Sequence, residues 1–127
     1  MAGTLVIDTL KASIGVLATQ NGMTGIAKAW VRASVSGTTV TVNGSFNISS
    51  ITRTAKGSFT FAMTTAMPSA SYAVVSNGTT ETSNVYPCTG HTDPAVTQTT
   101  TQFGCYWFTG GLSGGQDPQI IGVSVFA

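Results

Sequence analysis

The stretch Gly44–Met67, GSFNISSITRTAKGSFTFAMTTAM, decides the fold class. Phe46 and Ile48 alternate with polar residues, and so do Phe59, Phe61 and Met63. Between the two runs, Thr54-Ala55-Lys56-Gly57 supplies a turn of the right length ending in glycine. Alternation with period two turns one face of a strand to a core and the other to solvent or a partner. The stretch therefore predicts a β-hairpin with Phe46, Ile48, Phe59, Phe61 and Met63 in the core. Ile51 falls out of step with Phe46 and Ile48, which predicts a β-bulge at Ser49-Ser50.

The same pattern extends outward. Ile26–Val35 places Ala27, Ala29, Val31, Ala33 and Val35 on one face and Ile26, Lys28, Trp30 and Arg32 on the other. A tryptophan between two cations suggests Lys or Arg stems stacked on the indole, or a subunit contact. A core anchor is the competing reading of Trp30. Thr38–Asn43 is a β-branched strand closed by the turn pair Asn43-Gly44. Ser71–Ser76, Glu81–Cys88, Ala95–Gln102, Gly104–Thr109 and Gln119–Phe126 complete the predicted strands, with Asn77-Gly78 as a turn and Gly110–Pro118 as a loop. Short strands at this spacing predict an all-β antiparallel sandwich, jelly-roll or Greek-key-like.

Residues 1–25 read differently. Leu5, Val6 and Ile7 are consecutive rather than alternating, and with Leu10 they make a short apolar run. Two readings stand: an extended arm that docks on a partner or winds with copies of itself, and an edge strand plus loop. The first divides the chain into an arm, residues 1–25, and a β-sandwich knob, residues 26–127.

Only 7% of the 127 residues are charged, against roughly 25% in ordinary soluble proteins. Such a surface is covered with hydroxyls and amides, or buried against other copies. The five basic residues, Lys11, Lys28, Arg32, Arg53 and Lys56, are scattered, which argues against nucleic acid as a partner. No apolar run reaches bilayer length, so membrane insertion is not expected. Asp8 and Lys11 interrupt what would be the core of a signal peptide. With Met1 at the start, the expectation is a complete, cytoplasmically made product.

The segments GIAKAWV, SFNISSITR and GSFTFAMTTAMPSASYAVV, and the C-terminal IIGVSVFA, resemble a β-domain of virion appendage proteins from tailed bacteriophages, especially those of marine and cyanobacterial hosts. The resemblance covers residues 25–76 best and the last eight residues loosely. It implies a virion structural protein, multimeric and often trimeric, contacting other capsid or tail proteins and carrying no catalytic residues or cofactor. The short chain has no stalk and no shaft repeat, which favours a small spike, head fibre or capsid decoration protein over a long tail fibre.

Candidate chemistry lies mainly between residues 77 and 118. Cys88 and Cys105 end two runs, NVYPC and GCYWF, which would face each other if the runs paired antiparallel. A disulfide and two free buried thiols are both open. Cys88 and His91, with Asp93 and Cys105 nearby, have ligand types that suit zinc, but one C-x-x-H spacing is a weak signal. A nucleophilic triad has only His91 as base and lacks a G-x-S-x-G elbow. The four carboxylates, Asp8, Glu81, Asp93 and Asp117, lie outside the best-defined strands, so enzymatic function is not expected. Tyr86, Tyr106 and Trp107, beside the threonine-rich run Val96–Gln102, offer aromatic and hydroxyl groups to a host surface glycan. In the competing reading Tyr106 and Phe108 point into the core and Trp107 packs a subunit edge.

Overall fold

The computed structural model describes residues 26–79, 87–109 and 115–127. The described residues form eight strands: β1 (Ala29–Ser36), β2 (Thr39–Phe46), β3 (Ile48–Ala55), β4 (Ser58–Met63), β5 (Ala73–Thr79), β6 (Pro87–Thr92), β7 (Gln102–Thr109) and β8 (Ile120–Phe126). All pairings are antiparallel and follow the order β2-β1-β8-β5-β6-β7-β4-β3. Strands β2, β1, β8 and β5 form one four-stranded sheet and β6, β7, β4 and β3 the other, packed together as a β-sandwich. Strands β5 to β8 lie in the spatial order 8-5-6-7, a three-strand meander whose fourth strand returns beside the first, which is a Greek key.

Alternation builds the core. In β1 the residues Ala29, Val31, Ala33 and Val35 are buried, and in β8 so are Ile121, Val123 and Val125. The opposing sheet answers these small side chains with large ones: Phe59, Phe61 and Met63 from β4, and Phe103 and Trp107 from β7. Small against large fills the space between sheets at the density a protein interior requires. Each of the large side chains contributes about 1.5–3 kcal/mol by leaving water. Phe61 and Phe103 stack with centroids 5.0 Å apart, and Phe59 meets Trp107 edge-on at 5.5 Å. Tyr72 and Met67, from the segment between β4 and β5, plug one end. The Tyr72 hydroxyl lies 2.7 Å from the carbonyl oxygen of Thr99 and 2.8 Å from that of Gln102.

The predicted hairpin is β3–β4, and its register shifts between Ile48 and Ser50 as the sequence pattern requires. Phe59, Phe61 and Met63 are core, and Ile48 packs against it. Phe46 is a correction. It ends β2 rather than opening β3, lies opposite Trp30, and is only half-buried on the outer side. The reason is Asn47, whose φ of 56° breaks the run and carries the chain from one sheet to the other. Asn43-Gly44 and Asn77-Gly78 are not turns but lie within β2 and β5. The β1–β2 turn instead uses Gly37, at φ 59°. The expected strand Ala95–Gln102 is a loop up to Thr101. The Thr99 hydroxyl takes the backbone N–H groups of Thr101 and Gln102, each at 3.2 Å, so local threonine bonding replaces a ladder.

Candidate functional site

Strand β7 decides which side chains of the 77–118 region reach the surface. Phe103, Cys105 and Trp107 face the core, all at 0% exposure, while Tyr106 and Phe108 face outward and are half-buried. Trp107 is therefore no glycan or partner contact, and the competing assignment of Tyr106 and Phe108 to the core is reversed as well. Gly90 and Gly78 make room for the Trp107 indole, since a Cβ on either would lie about 3 Å or less from Nε1. Tyr86 lies outside the described residues.

On the outer side, His91 of β6 sits opposite Tyr106. Its ring stacks on Phe108 with centroids 5.0 Å apart and 16° between planes, and Phe108 meets Tyr106 at 6.4 Å. The three rings make an aromatic shelf. His91, considered from the sequence as a metal ligand and as the one available base of a nucleophilic triad, instead takes a place in this shelf. Strict alternation through GCYWF was the signal that would have found it.

His91 and Cys105 face opposite sides of their sheet, so they do not converge on one ion, and the side chain of Cys88 lies outside what the structure describes. Among the described residues no three histidine, cysteine or acidic side chains gather as a metal site. The disulfide is also corrected. β6 and β7 do pair antiparallel, but Cys88 lies opposite Thr109 and Cys105 opposite Thr92. Four residues of strand separate the rungs by about 13 Å at ~3.3 Å per residue, beyond the reach of about 7 Å between bonded cysteines. Cys105 is a free, buried thiol. Burial pushes it up to about 12, with a Ser76 hydrogen bond opposing and the Asp93 charge adding to the shift.

The described carboxylates hold loops. Asp93 is buried, accepts from Ser58 Oγ, and accepts the Ala95 N–H at 2.9 Å. Asp117 accepts from Arg53 Nε at 3.0 Å and Nη2 at 2.8 Å, and from the Gly57 N–H at 2.9 Å. Both carboxylates reach the same β3–β4 turn from different loops, and each is committed to it. Asp8 and Glu81 lie outside the described residues.

Lys28 is buried, not exposed beside Trp30. Trp30 is 41% exposed, so it is not a core anchor. The arm residues Leu5, Val6, Ile7 and Leu10 lie outside the described residues. No helix among the described residues is long and apolar enough to cross a membrane. No family model, curated protein or solved structure matches the chain.

Proposed function

We propose that the chain is a structural protein of a bacteriophage virion: a small multimeric spike, head fibre or capsid decoration protein on the particle surface. One observation carries the reading. The sandwich shows large apolar side chains to solvent, among them Ile26, Val42 and Val75, in a chain with only nine charged residues. A lone domain disperses charge over its surface, whereas apolar side chains left outside mark contact with other proteins. Closed rotational symmetry is the usual way to cover them, and the resemblance favours a trimer. The paired polar groups, Asp93 with Ser58 and Asp117 with Arg53, are engaged in holding loops to the β3–β4 turn. In this reading residues 1–25 dock the knob to a capsid or tail protein. Deleting residues 2–25 tests the docking: the shortened chain is expected to be lost from purified particles, and its normal incorporation would refute the arm.

A second reading, a receptor-binding module contacting a host surface glycan through residues 77–118, rests on the shelf of His91, Phe108 and Tyr106. Replacing Phe108 by alanine should then reduce adsorption to host cells without reducing incorporation.

A further inference from the structure

Arg32 stands between two glycines. The register sets it opposite Gly44 on β2 and Gly122 on β8, so the rung across three strands of the outer face carries one side chain. One rung away Trp30 is flanked by Phe46 and Ser124, and on the other side Ser34 is flanked by Thr41 and Ile120. The cleared rung opens a groove of about 450 Å³ lined by Trp30, Arg32, Ser34, Asn43, Gly44 and Ile120. That size lies in the range of small-ligand clefts, about 300–1,000 Å³.

Two features go beyond a bare surface. The register passes from Arg32 opposite Gly44 to Ala33 opposite Val42, which leaves Asn43 as the extra residue of a bulge. Bulges re-aim side chains, and Asn43 lines the groove. The Trp30 ring lies over Gly44, where an added Cβ would already be in van der Waals contact with it at 3.4 Å. At the far end, the Asn77 amide lies over Gly122.

We infer that this groove binds an acidic saccharide. The exposed indole offers a flat apolar face to the C–H groups of a pyranose. Asn43 and Ser34 supply an amide and a hydroxyl for sugar hydroxyls. Arg32 supplies the fork that matches a carboxylate. Arg32 takes part in no ion pair among the described residues, which leaves its guanidinium to a ligand. A single arginine is too little for a nucleic-acid strand, which takes clustered cations. The assignment is independent of where the protein resides.

The test is titration of the full chain with trigalacturonate and with neutral galactotriose, read by calorimetry and tryptophan emission. Trigalacturonate should bind at least tenfold tighter at low salt, with the advantage shrinking as salt rises. R32Q should abolish the preference for the acid. W30A should weaken both ligands at least tenfold, and G44V, a β-branched residue suited to a strand, should do the same by filling the floor at unchanged melting temperature. F108A should change neither. Absence of binding at millimolar concentration would overturn the assignment, as would binding that survives W30A or is lost in F108A. So would dissociation of an oligomer into monomers by W30A, which would show that a second copy covers this face. Particle incorporation of W30A is a separate readout, so failure here and failure of the virion reading are distinguishable.

Discussion

The Asn47 side chain pairs with both backbone groups of Thr65: its Oδ1 accepts the Thr65 N–H at 2.7 Å and its Nδ2 donates to the Thr65 carbonyl at 3.1 Å. Nδ2 also donates to the Lys28 carbonyl at 3.2 Å. One amide thus ties the β2–β3 corner to the segment after β4 and to the chain entering β1. Asparagine suits the place twice, because it also tolerates the left-handed backbone.

Replacing Asn47 by alanine should destabilise the fold by about 4–5 kcal/mol, combining three lost hydrogen bonds at roughly 1 kcal/mol each with left-handed strain of about 1–2 kcal/mol. N47G should recover the strain and leave the bonding loss. N47D should be no better than alanine, because a carboxylate would face the carbonyls of Lys28 and Thr65. Urea unfolding of the three variants separates these terms.

Gly37 and Gly57 both have positive φ, at 59° and 78°, but their surroundings differ. A Cβ at Gly37 meets nothing within 4 Å, whereas at Gly57 it would lie 2.5 Å from the Trp107 carbonyl oxygen and 2.7 Å from the Gln116 nitrogen. G37A should cost about 1 kcal/mol from the backbone alone, and G57A should cost several times more or abolish folding. Thermal melts of the pair check this.

The Cys105 thiol is enclosed and its pKa is raised, so the thiolate that reacts is scarce. In a C88S background Cys105 should resist a thiol reagent in the native state and react fully in denaturant. Rapid native labelling would mean that the β7 core face is open.

Stability should fall at both ends of the pH scale. Partial burial alone would raise the Asp117 carboxyl, but hydrogen bonds from Arg53 and Gly57 and the charges of Arg53 and Lys56 outweigh it, leaving the group below its ordinary 3.8. Its contribution is present above 3.8 and is lost as pH falls through the lower folded value. Cys105 and Tyr72 work in the opposite direction. Burial lifts them from 9.0 and 10.0 to about 12, so their contribution is complete below the ordinary values and lost as pH rises toward 12. Urea midpoints across pH should show both limbs, with D117N flattening the acid one and Y72F reducing the alkaline one.

The sequence revealed strands wherever alternation was strict and one face was buried. Phe59, Phe61 and Met63, and the bulge beside Ser49, were legible for that reason. It misled where backbone conformation overrode pattern. Phe46 and Ile48 are in step on paper, but Asn47 at positive φ puts them in different sheets. Val96–Thr101 has strand composition, yet its threonine hydroxyls satisfy the backbone locally. The Arg32 trough was illegible because its two glycines come from strands separated by 78 positions, Gly44 and Gly122, and only the register aligns them.

We propose above that the chain is a multimeric structural protein of a virion. Absolute quantification of the chain in purified particles, with native mass spectrometry of the purified protein, tests it most directly. The expected result is a fixed copy number per particle in whole multiples of a stable oligomer, a trimer. A chain that is monomeric in solution and absent from purified particles would contradict it.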